Sequence, residues 1–256
     1  MIRSFFYSCL FCIFSVFTIS CKQDSNEKPI LIATAANMQE AMQLLVEDFT
    51  KKTGIKCQLV VSSSGKLTAQ IKAGAPYNIL VSADMKYPEE IYKSGYAITP
   101  PKVYAYGKLV LWSANSKITP SISFLKKDAI QHIAIANPKT APYGRATEDV
   151  LSYYNLKELL MHKFVIGESI SQTNQFIHSQ AAEIGFTAMS TITSEKIKKK
   201  GNWVALDTNT YRPIKQCVIV INKEAESNKK AKNFYSYLSS KEAQLTLTKF
   251  GYSIYE

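Results

Sequence analysis

The chain has 256 residues, a formal net charge of +11 and 46% hydrophobic residues. That is enough apolar material for one large domain or two lobes of ordinary size, and it excludes a disordered tail. The basic balance admits nucleic acid, acidic membrane surfaces or small anions as partners. The lysines are scattered, however, apart from Lys196-Ile197-Lys198-Lys199-Lys200, and no RNA-binding aromatic motif or zinc-finger spacing goes with them. A solvated basic surface is the reading, and nucleic acid is not an expected partner.

Arg3 opens an apolar run from Phe5 to Ile19 that ends at Thr18-Ile19-Ser20-Cys21. Its length and flanks suit an export signal over residues 1–20 and are wrong for a spanning helix. The end of the run resembles a bacterial lipoprotein signal, in which a small residue precedes the cysteine that is lipidated and becomes the new N-terminus. Thr18 departs from the Leu, Val or Ile usual at its position. Residues 21–29 follow as a polar tether with Cys21 as the lipidation site. Cys9 and Cys12 leave with the signal, so Cys57 and Cys217 remain, each in an apolar strand-like run. Export permits them to pair, but the runs favour two buried thiols.

Pro29–Ala36 is a buried strand ending in small residues. A helix is expected from Asn37, with Asn37 as N-cap, Glu40 at the capping-box position, Met38, Ala41, Met42, Leu45 and Phe49 on its core face, and Gly54 at its end. Cys57–Val61 is the second strand, and Ser62-Ser63-Ser64-Gly65-Lys66 leads into a short helix over Leu67–Gly74. Asn78–Ser82 is the third, followed by a helix capped by Asp84 and running to Gly95. After Pro100-Pro101 the pattern restarts. Strands are expected at Lys108–Trp112, His132–Ala136, Lys163–Ile166, Glu183–Ala188 and Gln216–Ile221, and helices at 145–154, from Ser169, at Glu226–Ser239 and at Lys241–Phe250. Strand–helix alternation at this spacing makes the chain an α/β protein with mostly parallel sheets.

Four strand-to-helix corners carry small, polar or glycine residues: Asn37, Ser64, Tyr143-Gly144 and Ser169-Ile170. Such corners lie at the carboxyl ends of strands, where open α/β sheets bind ligands, and helix amino ends favour anions. A different chemistry competes at the second corner. Ser63-Ser64-Gly65-Lys66 contains S-x-x-K, the pattern of penicillin-interacting serine acyl-enzymes, and Lys52-Thr53-Gly54 supplies K-T-G. That triplet precedes the serine and ends a helix, and S-D-N is absent, so binding ranks above catalysis. Gly65-Lys66-Leu67 is no P-loop, since Val60 and Leu67 break its pattern. His132, His162 and His178 lack metal-ligand spacing, and no metal cation is expected.

At the corners the sequence resembles the molybdate-binding proteins of bacterial ABC importers, within the periplasmic binding protein superfamily. The resemblance lies in Ala35-Ala36-Asn37-Met38, Ser63-Ser64-Gly65-Lys66-Leu67 with Ala69-Gln70-Ile71, Gly74-Ala75-Pro76-Tyr77, Leu80-Val81-Ser82-Ala83-Asp84, Tyr106–Ser113 and Ala136–Gly144. It covers about residues 30–254. It implies a type II two-lobed fold with a mixed sheet in each lobe and a ligand cleft between them. Lobe 1 is then residues 30–104, lobe 2 is 105–212, and 213–256 return to lobe 1. It also implies a tetrahedral oxyanion held by Asn37, Ser64, Tyr143 and the backbone N–H of Ile170, with Ala36 offering backbone only. Ala188 stands where other relatives have a ligand-contacting Tyr, and that role is not transferred. The implied ligand is molybdate or tungstate, with sulfate or another tetrahedral oxyanion as the alternative. No cofactor is implied, and molybdenum enters only as the bound oxyanion. The implied partners are an ABC permease and its ATPase, and the membrane through a lipid anchor only. The protein is expected to be a monomer that closes around its ligand and performs no covalent chemistry.

Overall fold

A computed structural model describes residues 28–195, 197 and 200–254. The expected export signal and Cys21 lie outside the described residues. Two five-stranded sheets organise the chain. The first contains β1 (Ile30–Ala35), β2 (Cys57–Ser62), β3 (Ile79–Ser82), β4 (Lys102–Gly107) and β10 (Ile214–Val220), in the order β2-β1-β3-β10-β4. The second contains β5 (Leu109–Ser113), β6 (Ile133–Ala136), β7 (Phe164–Gly167), β8 (Ile184–Ala188) and β9 (Asn202–Ala205), in the order β7-β6-β8-β5-β9. In each sheet the first three strands of that order are parallel and the other two run antiparallel to their neighbours. The sheets are thus mixed, and each forms one lobe.

Helices cover both faces of the sheets, which is why the inner parallel strands are continuous apolar runs. In the first lobe α1 (Gln39–Thr53) buries Ala41, Met42, Leu45 and Phe49. These pack with Ile30, Ile32, Val218 and Val220 on one face of the sheet. On the other face, α2 (Ser64–Lys72) and α3 (Lys86–Lys93) bring Leu67, Ile71 and Ile91 against Ala33, Leu80 and Ile219. Gly54 ends α1 with φ of 73°, and Lys51 and Lys52 occupy its last turn, where cations favour the dipole. Helices α8 (Ala225–Tyr237) and α9 (Lys241–Lys249) return to this lobe. Phe234 of α8 meets Phe49 edge-on at 5.1 Å between ring centroids.

The second lobe adds α4 (Pro142–Tyr153), α5 (Lys157–Leu160), α6 (Ile170–His178) and α7 (Met189–Ile192). Its main core is continuous with the first lobe: Ala35, Ala36 and Ala83 share one apolar cluster with Ala141, Tyr143, Ile170 and Ala188. The chain crosses between lobes at Lys108, between β4 and β5, and again over residues 206–213, between β9 and β10. The two crossings are tied together, since the Leu109 backbone N–H donates to the Tyr211 hydroxyl at 3.1 Å.

Several local expectations need correction. Asn37 does not cap α1. A 3-10 turn over Ala36–Met38 intervenes, the helix starts at Gln39, and Met38 stands at its N-cap without a side-chain bond. Met85 is the formal N-cap of α3 and makes no side-chain bond, but Asp84 still caps the first turn, accepting the Tyr87 N–H on Oδ1 at 3.4 Å while Oδ2 pairs with Arg145. Helix α2 begins at Ser64 rather than Leu67. Strands β4 and β9 were not anticipated. Cys57 and Cys217 are free thiols, half-buried and buried.

Candidate functional site

The four corners meet. Ala35, Ala36, Asn37, Ser63, Ser64, Ala83, Ala141, Pro142, Tyr143 and Ile170 line one small cavity between the lobes. None of these side chains carries a charge, so electrostatics there come from backbone and hydroxyl dipoles.

Each corner has a local cause. The β1 strand ends at Ala35 and the 3-10 element begins at Ala36, two small side chains that let the backbone turn tightly. Ser64 starts α2, Tyr143 follows Pro142 at the start of α4, and Ile170 starts α6. Proline suits a first helical turn because its missing N–H would have no partner there. Ser169 caps α6 by accepting the Gln172 N–H at 3.4 Å. The first amides of any helix lack intrahelical acceptors. Among the described residues, the backbone N–H groups of Asn37, Ser64, Tyr143 and Ile170 donate to no carbonyl or side chain. Three helix amino ends, two from the second lobe and one from the first, thus direct positive dipole ends at one point.

The side chains divide the labour differently from the sequence expectation. The Asn37 amide is occupied: Nδ2 donates to Gln216 Oε1 at 2.8 Å and to the Tyr252 hydroxyl at 2.9 Å. The Asn37 backbone carbonyl accepts from the Tyr252 hydroxyl at 2.9 Å and from Ser190 of the second lobe at 2.7 Å. Asn37 is therefore a structural junction whose backbone N–H is the group left open to a ligand. Ser64 Oγ accepts the Ala83 N–H at 3.1 Å, which leaves its proton to donate. The Tyr143 hydroxyl is buried without a hydrogen-bond partner and lies beside Gly107, where an added Cβ would stand 2.2 Å from it. Burial pushes this phenol well above its ordinary range, so it stays neutral.

Sequence reasoning missed Ser63. It is 3% exposed, lines the cavity, and its Oγ has no partner. It occupies the N-cap of α2 without capping it. The available signal was the run of three serines, from which only the last was chosen.

Lys66, the lysine of S-x-x-K, makes no hydrogen bond to Ser63, whose Oγ has no partner. Its Nζ lies 2.9 Å from Glu168 of the second lobe, and this contact holds the Glu168 carboxyl below its usual range. Lys52-Thr53-Gly54 ends α1 and does not line the cavity. The acyl-enzyme constellation is not assembled.

Residues 30–253 match the family model for bacterial extracellular solute-binding proteins. The chain is 35% identical over 227 residues to the molybdate-binding protein ModA of Azotobacter vinelandii, covering 88% of this chain and 90% of that protein. Identity to ModA of Rhodobacter capsulatus is 36% over 225 residues, or 87% of each chain. The solved structure of the Azotobacter vinelandii periplasmic molybdate-binding protein matches with a TM-score of 0.84 at 34% identity, over 89% of this chain and all of that one. With two lobes, a shared cavity at four strand-to-helix corners and a match over nearly its whole described length, the chain belongs to the bacterial extracellular solute-binding proteins and is an exported binding protein rather than an enzyme.

Proposed function

We propose that this protein captures molybdate, and tungstate with it, between its lobes and delivers it to an ABC permease driven by a cytoplasmic ATPase. The observation that carries the reading is the convergence of uncommitted backbone amides from both lobes on a cavity with no charged lining side chain. A tetrahedral dianion fits that chemistry. It takes several charge-assisted hydrogen bonds from neutral donors and needs no desolvated cation. The donors are the backbone N–H groups of Asn37, Ser64, Tyr143 and Ile170 with the Ser64 hydroxyl, and Ala36 contributes backbone. Donors arranged this way favour a fully deprotonated oxyanion over hydrogen phosphate, whose proton needs an acceptor. The relatives named as molybdate-binding support molybdate over sulfate. The protein acts as a monomer, anchored at the membrane surface by lipid on Cys21, and uses no cofactor.

Thermal denaturation of the chain without residues 1–20, with molybdate, tungstate, sulfate and phosphate in turn, tests the reading. A ligand at 100 times its dissociation constant adds about 2.7 kcal/mol of stability. Molybdate and tungstate are expected to raise the midpoint and phosphate to leave it in place. No shift with molybdate, or an equal shift with phosphate, overturns the proposal. Mass determination of the membrane-extracted protein tests the lipid on Cys21.

A further inference from the structure

Beside the cavity, a second set of residues joins the lobes without lining it. The Gly65 N–H of α2 donates across the cleft to the Thr140 carbonyl at 2.9 Å. Tyr87 of α3 donates its hydroxyl proton to the Lys139 carbonyl at 3.1 Å and accepts from Arg145 Nη1 at 3.3 Å. The Arg145 guanidinium, on α4, also stands 5.3 Å from the Tyr87 ring centroid and pairs with Asp84 at the end of β3. The two charged side chains are 21% and 18% exposed; burial pushes the Asp84 carboxyl above its ordinary range despite the Arg145 charge, so each partner needs the other and removing one leaves the second charge desolvated and unpaired. Gly65, Asp84 and Tyr87 belong to the first lobe; Lys139, Thr140 and Arg145 belong to the second. Each of these contacts therefore exists only with the cleft shut.

Gly65 decides how closely the lobes approach. Its φ is not in the left-handed region, so backbone conformation does not demand glycine. Space does: an added Cβ would lie 2.6 Å from the Tyr87 hydroxyl oxygen and 2.9 Å from the Thr140 carbonyl oxygen. The first obstacle is the far end of a side chain in the same lobe; the second is backbone of the facing lobe, which cannot swing aside. The seam also starts where the cavity ends, since Gly65 follows Ser64, Asp84 follows Ala83, and Arg145 is two residues past Tyr143.

We propose that Gly65, Tyr87, Arg145 and Asp84 form a closure seam that sets the affinity and residence time of the oxyanion without touching it. The apparent affinity of a ligand scales with the fraction of protein in the binding-competent state. Contacts made only on closure raise that fraction, and these four are positioning residues in that sense. The inference rests on the oxyanion reading of the neighbouring cavity.

The test measures molybdate titration, dissociation rate and solution scattering for the wild-type chain and for Gly65→Ala. The wild type is expected to contract on saturation. Gly65→Ala is expected to bind about tenfold more weakly or worse and to contract incompletely, beyond whatever small fall in ligand-free midpoint the added Cβ causes against Tyr87 within the first lobe. Its association rate should be unchanged and its dissociation faster. Tyr87→Phe alone, which deletes the hydroxyl bonded to Lys139 and Arg145 across the cleft, should also weaken binding and speed dissociation. Should Gly65→Ala fail to fold, Arg145→Gln and Asp84→Asn replace it. Each single change should weaken binding, and the double no more than either one. Wild-type affinity and contraction in Gly65→Ala, or simple addition of the Arg145 and Asp84 losses, overturns the seam alone. A wild type that neither binds molybdate nor contracts overturns the oxyanion reading and the seam with it.

Discussion

Asn37 and Gln216, 179 residues apart in sequence, are joined by a 2.8 Å hydrogen bond inside the first lobe. Gln216 is fully buried and sits where β10 shifts register against β4. Its other amide end donates to the Ile214 carbonyl at 3.2 Å. The bond therefore pins the first corner of the cavity to the strand that leads out of the second lobe crossing.

Asn37→Ala leaves Gln216 Oε1 and the Tyr252 hydroxyl without the Asn37 donor. An unsatisfied buried polar group costs about 1–3 kcal/mol. The ligand-free protein is expected to lose stability in that range, measured by urea denaturation. Molybdate affinity should fall as well, because the Asn37 amide loses its setting. Unchanged stability would contradict the junction role.

The two serines of the second corner should separate. Ser64→Ala removes the acceptor of the buried Ala83 N–H as well as a donor, so it should lower both ligand-free stability and affinity. Ser63→Ala removes a hydroxyl that has no partner, so ligand-free stability should hold or rise. Hydrogen bonds to charged groups contribute about 1.5–3 kcal/mol. If Ser63 also donates to the oxyanion, calorimetric titration of Ser63→Ala will show a loss of that size, and an unchanged constant assigns the whole serine contribution to Ser64.

Gly107→Ala should be destabilising, because its Cβ would lie 2.2 Å from the Tyr143 hydroxyl and 3.0 Å from Gln216 Nε2. Overpacking of this kind costs about 1–3 kcal/mol. Tyr143→Phe in the same chain should restore most of the loss, since it removes the oxygen that collides. Denaturation of the two single variants and the double variant measures the coupling, and strictly additive effects would refute the contact.

Alkaline sensitivity follows from the thiols. Burial pushes both Cys57 and Cys217 up to about 12, while an unfolded thiol titrates near roughly 8.5. Native pKa values raised above the unfolded ones give a contribution that is complete below the unfolded pKa and is lost as pH rises through the native pKa. Stability should therefore fall from about pH 8.5 toward pH 12, and less steeply in Cys217→Ala. Denaturation at a series of pH values checks the slope, and a thiol reagent at pH 8 should react slowly with the native chain and quickly with the unfolded one.

The architecture was legible where a residue's role is set by its own neighbourhood. The spacing of Ala41, Met42, Leu45 and Phe49 marks the buried stripe of α1, and Gly54 marks its end, because both depend on local periodicity and backbone freedom. Strand β9 was not legible, because it is an edge strand with Trp203 and Val204 largely exposed, which leaves no clean alternation. The order of corners brought Asn37, Ser64, Tyr143 and Ile170 to one place, but not the use of each side chain. Asn37 looks like a cap because Asn before a helical run usually is one. Its actual partners, Gln216, Tyr252 and Ser190, come from distant segments that no local pattern reports. Gly65 looks like part of an anion-holding loop, whereas the space it leaves is filled by Tyr87 of the next helix and by Thr140 from across the cleft.

Strand β10 lies between β3 and β4, so two strands close in sequence are separated by one made from residues 214–220. A chain that emerges N-terminus first has only β2-β1-β3 and an unpaired β4 until most of its length has passed. The first lobe cannot complete its sheet, nor Asn37 find Gln216, before then. For an exported protein this order places completion of the first lobe's sheet after most of the chain has emerged.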